Sequence, residues 1–152
     1  MKLAEALILR ADLQKKLASL RERASKYVTV QQGEKPAEEP NALLKQAVGV
    51  IRELEHLVFR INRANLDSKT RDGRSLTEAL ARRDALVQQH SVVEAMLAGT
   101  RKQPDRYGLK EIKWITVVDV PKFQKQADDL AKQLRELNVL IQEANWNHEL
   151  PE

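Results

Sequence analysis

The sequence predicts a mainly α-helical fold: a long antiparallel four-helix bundle of coiled-coil type, with a small two-stranded β-ribbon at one end. Four segments repeat apolar residues at alternating steps of three and four, the period of helices that bury one side. Only 5 Gly and 5 Pro leave little material for irregular structure. Aromatic residues make up 4% of the chain, which argues against a β-sandwich or barrel. The 152 residues suit a single domain, 1–152.

The four predicted helices span about 2–26, 41–68, 75–100 and 120–146. In three of them, one row of mostly apolar residues defines the side that faces the core. In the first helix this row is Leu3, Ala6, Arg10, Leu13, Leu17, Leu20, Ala24 and Tyr27. In the third it is Leu76, Ala79, Arg83, Leu86, His90, Val93 and Leu97. In the fourth it is Phe123, Ala127, Leu130, Leu134, Leu137, Ile141 and Ala144.

The second helix carries two apolar rows, and the longer one is predicted to face the core. Its members are Leu44, Ala47, Ile51, Leu54, Val58, Ile61, Asn65 and Ser68. The other row contains Leu43, Val50 and Leu57. Apolar positions beyond one core-facing row favour association between helices. This second row, together with Leu140 of the fourth helix, therefore predicts a homo-oligomer.

Residues that favour helix ends mark the predicted boundaries. Asn41 follows a proline and is predicted to cap the second helix. Ser75 and Glu78 have the spacing of a capping box, in which each side chain bonds the other residue's backbone amide. Asp119 and Pro121 are predicted to open the fourth helix.

Two segments rich in β-branched and aromatic residues are predicted to be strands, at about 27–32 and 112–118. The first lies between helices one and two, and the second between helices three and four. In an up-down-up-down bundle both connections fall at the same end. The sequence therefore predicts a two-stranded ribbon there, with Trp114 or its neighbours packed on the helices.

Polar residues interrupt the core-facing rows near the end of the predicted bundle that lies opposite the ribbon. The candidate site residues there are Arg10, Asn62, Asn65, Arg82, Arg83, Glu143, Asn145 and Trp146. One interpretation is structural, because buried polar residues in such rows fix helix register. The other is that Arg10 and Arg83 hold a small anion, with the asparagines as hydrogen-bond partners. Glu143 could instead be an internal partner for both guanidinium groups.

The sequence contains no specific motif that predicts a catalytic residue or a cofactor site. Arg83 to His90 has the form R-D-x5-H and resembles the motif of all-helical endoribonucleases of the HEPN class. In such an enzyme the arginine would stabilise phosphorane charge and the histidine would move a proton. The alternative for His90 is a core histidine satisfied by a neighbour. No metal is expected, because His56, His90 and His148 form no pair directed into the core.

A weak nucleic-acid interface is the third hypothesis. Its basic residues lie beside two aromatic ones, and the set is Arg101, Lys102, Arg106, Tyr107, Lys110, Lys113 and Trp114. Such residues can contact phosphates and stack bases, although Asp105 and Glu111 dilute the patch. The net charge of +4 permits this function without requiring it. No membrane partner is expected, and the lack of cysteine and of a signal peptide favours the cytoplasm.

Several longer strings carry a resemblance to a known family. VQQGEKPAEEP, RINRAN, DGRSLTEALARRD, EIKWITVVDV and IQEANW occur in this order, and the combination resembles a family of small bacterial proteins labelled septicolysin-like. The label implies a cytolysin, and the resemblance implies a bacterial, cytoplasmic, helical protein. It transfers no catalytic residue.

Together these observations favour a non-enzymatic, self-associating bundle that binds a partner or a small anion at its polar Arg/Asn layer. Two alternatives remain open. One is a metal-independent ribonuclease that uses Arg83 and His90. The other is a nucleic-acid binder that uses the 101–113 segment.

Overall fold

A computed structural model describes residues 1–101 and 114–151 of the chain, and four α-helices make up most of these ranges. They are α1 (Leu3–Tyr27), α2 (Pro40–Asp67), α3 (Leu76–Gly99) and α4 (Val120–Asn147). The residues form two compact units. Unit 1 comprises Met1–Lys69 and the chain from Gln142 on, and unit 2 comprises Thr70–Ile141. The helical content of the predicted fold is confirmed, whereas the assembly of all four helices into one bundle and one domain stays a prediction.

The predicted β-ribbon is wrong, since neither segment forms a strand where the structure describes it. Tyr27 ends α1, and the residues that follow it up to Gly33 are irregular. Residues 114–117 are exposed, Val118 is half-buried, and none of them lies in a strand, whereas 112 and 113 fall outside the described residues. Val28 and Val30 are exposed as well. Their β-branched side chains favour a strand only where a partner strand and an apolar surface are available to pack against.

Unit 1 contains an antiparallel hairpin of α1 and α2, which pack along most of their length. The core-facing row predicted for α1 is confirmed, with Leu3, Ala6, Leu13 and Leu20 buried. Arg10 occupies the same row and is half-buried. The chain therefore keeps one arginine in an otherwise apolar row, as long cationic side chains can when their heads reach water.

The core-facing row predicted for α2 is only partly right: its members Ile61 and Ser68 are buried, but the other fully buried side chains lie one position away from it. Leu43, Val50, Leu57, Ile61 and Ala64 are buried against the rest of unit 1, and we call this set the buried row. The prediction placed Leu44 and Ile51 in the core-facing row, but both side chains are exposed. Because consecutive helical residues point about 100° apart, a shift of one position turns one side of the helix away from the core.

The α1–α2 connection is held by charged side chains. The Arg23 guanidinium donates two hydrogen bonds to the Glu38 carboxylate, one of them from Nε to Oε2 at 2.7 Å. These bonds hold the pKa of the Glu38 carboxyl below its usual range. The predicted cap Asn41 is wrong. Glu39 caps α2 instead, because its carboxylate accepts from the Ala42 amide at 2.8 Å and Pro40 occupies the first turn.

Backbone pairing joins the two ends of unit 1. The Leu3 amide donates to the His148 carbonyl at 3.0 Å, and the Leu150 amide donates to the Met1 carbonyl at 2.8 Å. The Lys2 ammonium lies 2.7 Å from the Glu149 carboxylate. This contact is the largest cause of the lowered pKa of the Glu149 carboxyl. The last residues of unit 1 thus extend its packing beyond the end of α4.

Unit 2 begins with a tight turn that leads into α3. The Thr70 amide donates to the Arg74 carbonyl at 2.8 Å, and Gly73 has a φ of 90°, which favours glycine at this position. The predicted capping box is confirmed. The Glu78 amide donates to the Ser75 hydroxyl at 3.2 Å, and the Ser75 amide donates to the Glu78 carboxylate at 2.8 Å.

The rows predicted for α3 and α4 are confirmed as the buried sides of these helices in unit 2. Their buried members are Leu76, Ala79, Leu86, Val93, Leu97, Ala127, Leu130, Leu137 and Ile141. The Asp119 carboxylate accepts from the Lys122 amide at 3.2 Å, which confirms the predicted start of α4. In the described ranges, no helix is both long and apolar enough to cross a bilayer.

Candidate functional site

The solvent-exposed side of α2 is the candidate functional site. It carries a second apolar row, with side chains that are 37–67% exposed. The members of this exposed row, with the two polar residues that share it, are Leu44, Val48, Ile51, Glu55, Phe59, Asn62 and Leu66. Exposed large apolar side chains are ordinary when they are scattered, whereas an aligned set on one helix marks an interaction surface.

The exposed row is straight and symmetric in spacing. Successive members are four, three, four, four, three and four residues apart. This is an 11-residue repeat, which follows the helix axis closely because 3.67 residues per turn is near the helical value. The row spans 22 residue steps, or about 33 Å at 1.5 Å per residue. Glu55 occupies its midpoint.

Basic residues line one edge of the exposed row. They are Lys45, Arg52, His56 and Arg63, and we call them the basic edge. Each is exposed, and each points about 60–100° around the helix from the row, on the same side. The opposite edge is uncharged, with Ala47, Val58 and Asn65. Arg63 approaches Asp67 at 4.0 Å, a weak contact between exposed groups.

The predicted polar layer shares only Asn62 with the exposed row, and its residues fall into both units. Unit 1 holds Arg10, Asn62, Asn65, Glu143, Asn145 and Trp146, and unit 2 holds Arg82 and Arg83. In unit 1, Asn145 is buried, whereas Asn62 and Trp146 are exposed. Arg10, Asn65 and Glu143 are half-buried. That the eight residues form one layer around a ligand stays a prediction.

Within unit 2, Arg82 lines a groove between α3 and α4 of about 220 Å³. The groove places Arg82 and Arg74 beside Glu136 and Gln133, above a leucine floor. Arg74 is paired with Asp72 at 3.0 Å. The groove therefore mixes both signs of charge, which gives a small anion little preference for it.

The proposed ribonuclease pair lies on one side of α3, two turns apart. The Arg83 guanidinium donates to the Asp84 carboxylate from Nε at 3.2 Å and from Nη2 at 3.0 Å. The His90 side chain is 34% exposed, and its Nε2 lies 3.8 Å from Glu94. His90 is thus not sealed in the core, but Arg83 already contacts a carboxylate that competes with any phosphate.

The described residues contain neither a candidate metal site nor most of the predicted nucleic-acid interface. Within 1–101 and 114–151, no group of three or more His, Asp or Glu side chains is placed to hold a metal ion. The His148 Nε2 donates to the Lys69 carbonyl at 2.7 Å, which uses one ring nitrogen. Most of the basic segment, namely Lys102, Arg106, Tyr107, Lys110 and Lys113, lies outside the described residues, although Arg101 and Trp114 are exposed.

These features define a class: a protein that is mainly helical in the part of the chain that the structure describes, with an amphipathic helix whose second apolar side faces solvent. A family model identifies the relatives. The model of the family of unknown function DUF6847 matches residues 10–150, and the chain belongs to that family. The predicted resemblance to septicolysin-like proteins is wrong, because neither this family nor the structural relative below has a link to septicolysin.

The chain is similar to a protein of solved structure. A crystal structure of a functionally unknown conserved protein from Corynebacterium diphtheriae shares 35% sequence identity with it. The match covers 99% of each chain, with a TM-score of 0.92. No curated protein matches the chain.

Proposed function

We propose that this chain is a non-enzymatic helical protein that self-associates through the exposed row of α2. The occupant of the row is a second copy of the same helix, in antiparallel orientation. The carrying observation is the exposed row itself, because α2 packs on α1 through its buried row and presents a second apolar row to solvent. The row used here differs from the Leu43, Val50 and Leu57 row first expected to drive association, which is buried.

The symmetry of the exposed row supports a second copy as the occupant. Its spacing reads the same in both directions from Glu55. A two-fold axis through Glu55 therefore sets Leu44 opposite the second copy's Leu66, and Ile51 opposite its Phe59. Both pairings are apolar, whereas the pairing between them sets Val48 opposite Asn62. A row that matches its own reverse is the requirement for an isologous contact, in which the same surface serves both partners.

Charge at the midpoint supports the same arrangement. Glu55 is the one acidic member of the exposed row. In the antiparallel pair, Arg52 of the second copy lies about 4.5 Å along the axis from Glu55, because three residues separate the two levels. The two-fold axis makes this contact twice. Two reciprocal Glu55–Arg52 contacts offset the repulsion between the two Glu55 carboxylates at the axis.

Sedimentation velocity of two matched variants tests the proposal. Ile51→Ser combined with Phe59→Ser removes apolar side chains from both halves of the seam. We expect the dimer dissociation constant to rise by about 100-fold, because each change occurs twice in the dimer. Ile8→Ser is the control, since Ile8 is a similarly exposed apolar residue, 56% accessible, that belongs to α1 and not to the row. A wild-type chain that stays monomeric at high micromolar concentration would refute the proposal.

Cysteine cross-linking tests the orientation. The chain has no cysteine, so a single introduced thiol can pair only with its counterpart in another copy. Glu55→Cys places the two thiols at the two-fold axis, and we expect rapid disulfide formation under mild oxidation. Leu44→Cys places them about 33 Å apart along the axis, beyond disulfide reach. Cross-linking of Leu44→Cys would instead indicate parallel helices.

Four other expectations from the sequence stay predictions. They are a small anion at the Arg/Asn positions, a cytoplasmic location, and the two alternative functions, a ribonuclease that uses Arg83 and His90 and a nucleic-acid binder that uses the 101–113 segment.

A further inference from the structure

We infer that the self-association seam builds a binding site for a phosphate polyanion from the basic edges of both copies. The inference rests on the proposed function, because one copy supplies half of the site. The shared chemistry is a linear series of phosphates, as in a nucleic-acid backbone or in inorganic polyphosphate.

The basic edge of a single copy is a sparse series. Lys45, Arg52, His56 and Arg63 are exposed and lie on one side of the exposed row. Steps of seven, four and seven residues separate them, or about 10.5, 6 and 10.5 Å along the helix. Because most of these steps are about as long as the Debye length at 0.1 M salt, a single small anion contacts few of the basic side chains of one copy.

Antiparallel pairing doubles the series. In a two-fold antiparallel helix pair, the symmetry axis lies in the interface and is perpendicular to both helices. Rotation about this axis keeps the basic edges of the two copies on the same side of the interface. Lys45 of one copy then lies within about 3 Å, along the axis, of the second copy's Arg63. Arg52 lies at the same axial offset from the second copy's His56. The result is four basic pairs along about 27 Å of the seam.

This band lacks an internal carboxylate for every cation. Glu55 lies on the row and contacts Arg52 of the second copy in the proposed pair. Asp67 approaches Arg63 only at 4.0 Å. Each end of the band therefore holds two cations, Lys45 of one copy and Arg63 of the other, against the one carboxylate of Asp67. The net positive charge at each end repels the two copies and attracts anions, and both effects are strongest at low ionic strength.

A linear polyanion fits the band better than a small anion does. One phosphate can bridge one basic pair, whereas a chain of phosphates can bridge pairs along the whole seam and displace counterions at each. Binding of this kind needs no base-specific contact. It also couples to assembly, because a ligand that contacts both copies stabilises the dimer over the monomer.

The test uses the full chain with two probes, a labelled long-chain inorganic polyphosphate and a labelled 25-nucleotide single-stranded DNA. Fluorescence anisotropy gives the dissociation constant at several salt concentrations. We expect Lys45→Gln combined with Arg63→Gln to weaken binding by about 30-fold and to flatten the salt dependence, because four phosphate contacts per dimer are lost. Lys15→Gln combined with Lys16→Gln removes the same formal charge from exposed positions on α1 and is expected to change affinity less than about twofold.

Sedimentation with unlabelled polyphosphate separates this inference from the proposed function. The wild-type dimer should tighten when polyphosphate is present. The Lys45/Arg63 variant should show no such shift, and its dimer should already be tighter than wild type at low salt because the repulsion is gone. A wild-type dimer that is indifferent to both probes overturns the inference and leaves self-association intact. A monomer under all conditions overturns both. Selective binding of one probe identifies the source of the phosphates.

Discussion

The two apolar rows of α2 use the same residue types, yet one is buried and the other faces solvent. The buried row and the half-buried positions between its members, Ala47 and Leu54, are apolar throughout. The exposed row contains Glu55 at its midpoint and Asn62 near its end. Burying a carboxylate without a partner costs far more than exposing a leucine. The row without a polar member is therefore the one that packs on α1.

The comparison with α1 and α3 refines this lesson. Their core-facing rows contain Arg10, Arg83 and His90, and these residues are half-buried rather than excluded. Neither helix offers a competing row that is wholly apolar. A polar residue is thus tolerated in a core-facing row when the helix has no wholly apolar row. In α2, which has one, the polar residues of the other row determine that this other row faces solvent.

The largest expected effect compares equivalent truncations in the two rows. Leu57→Ala leaves a cavity against α1, and we expect the free energy of unfolding to fall by about 2–5 kcal/mol. Ile51→Ala, measured at concentrations where the chain is monomeric, should change it by less than about 0.5 kcal/mol. Urea unfolding followed by circular dichroism measures both. Equal losses for the two variants would mean that the exposed row is covered within one chain.

A moderate effect tests whether the exposed row forms the dimer interface, and it is read from the dependence of Tm on protein concentration. In a dimer that unfolds to monomers, each tenfold increase in concentration stabilises the folded state by about 1.4 kcal/mol of dimer. Wild-type Tm should therefore rise with concentration, and the Ile51→Ser/Phe59→Ser chain should lose this rise. Thermal scans over a hundredfold range of concentration measure it. A rise that survives in the double variant would place the interface elsewhere.

The smallest expected effect concerns the contribution of the α1–α2 connection to Tm, apart from the packing of the buried row. The pKa of the folded Glu38 carboxyl is lowered by its hydrogen bonds from Arg23. Its stabilisation is therefore present above the unfolded pKa of about 4.3 and lost as pH falls through the lower folded value. Glu38→Gln should reduce Tm slightly at pH 7 and make no difference at strongly acidic pH. A Tm difference that stays constant with pH would contradict this origin.

The sequence was sufficient to predict the four helices, the buried sides of three of them, and two of the helix starts. These features depend on local residue spacing and on caps that act within one turn. It failed on the ribbon, because Val28 and Val30 have the right propensity but no described strand to pair with. It also missed Glu39 as the cap of α2. Glu39 and Asn41 lie on either side of Pro40, and both side chains can cap a helix, so the sequence does not decide between them.

The candidate site was only partly predictable. Leu44 and Ile51 were recognised as apolar but assigned to the core, so the surface they form with Phe59 and Leu66 was overlooked. The signal that could have found it was present: a wholly apolar row one position away. The polar layer depends on the spatial relation of distant residues such as Arg10 and Arg83, which spacing along single helices does not determine.

The two rows of α2 point to different sides along the whole helix. Leu43 and Leu44, at its start, point about 100° apart, as do Ile61 and Asn62 near its end, whereas Glu55 and Leu57, at its middle, point about 160° apart. A second helix lying on the exposed row would thus run along the side of α2 that faces away from α1. The four rods of the two hairpins would then form a slab, with the two copies of α2 at its centre, rather than a square bundle.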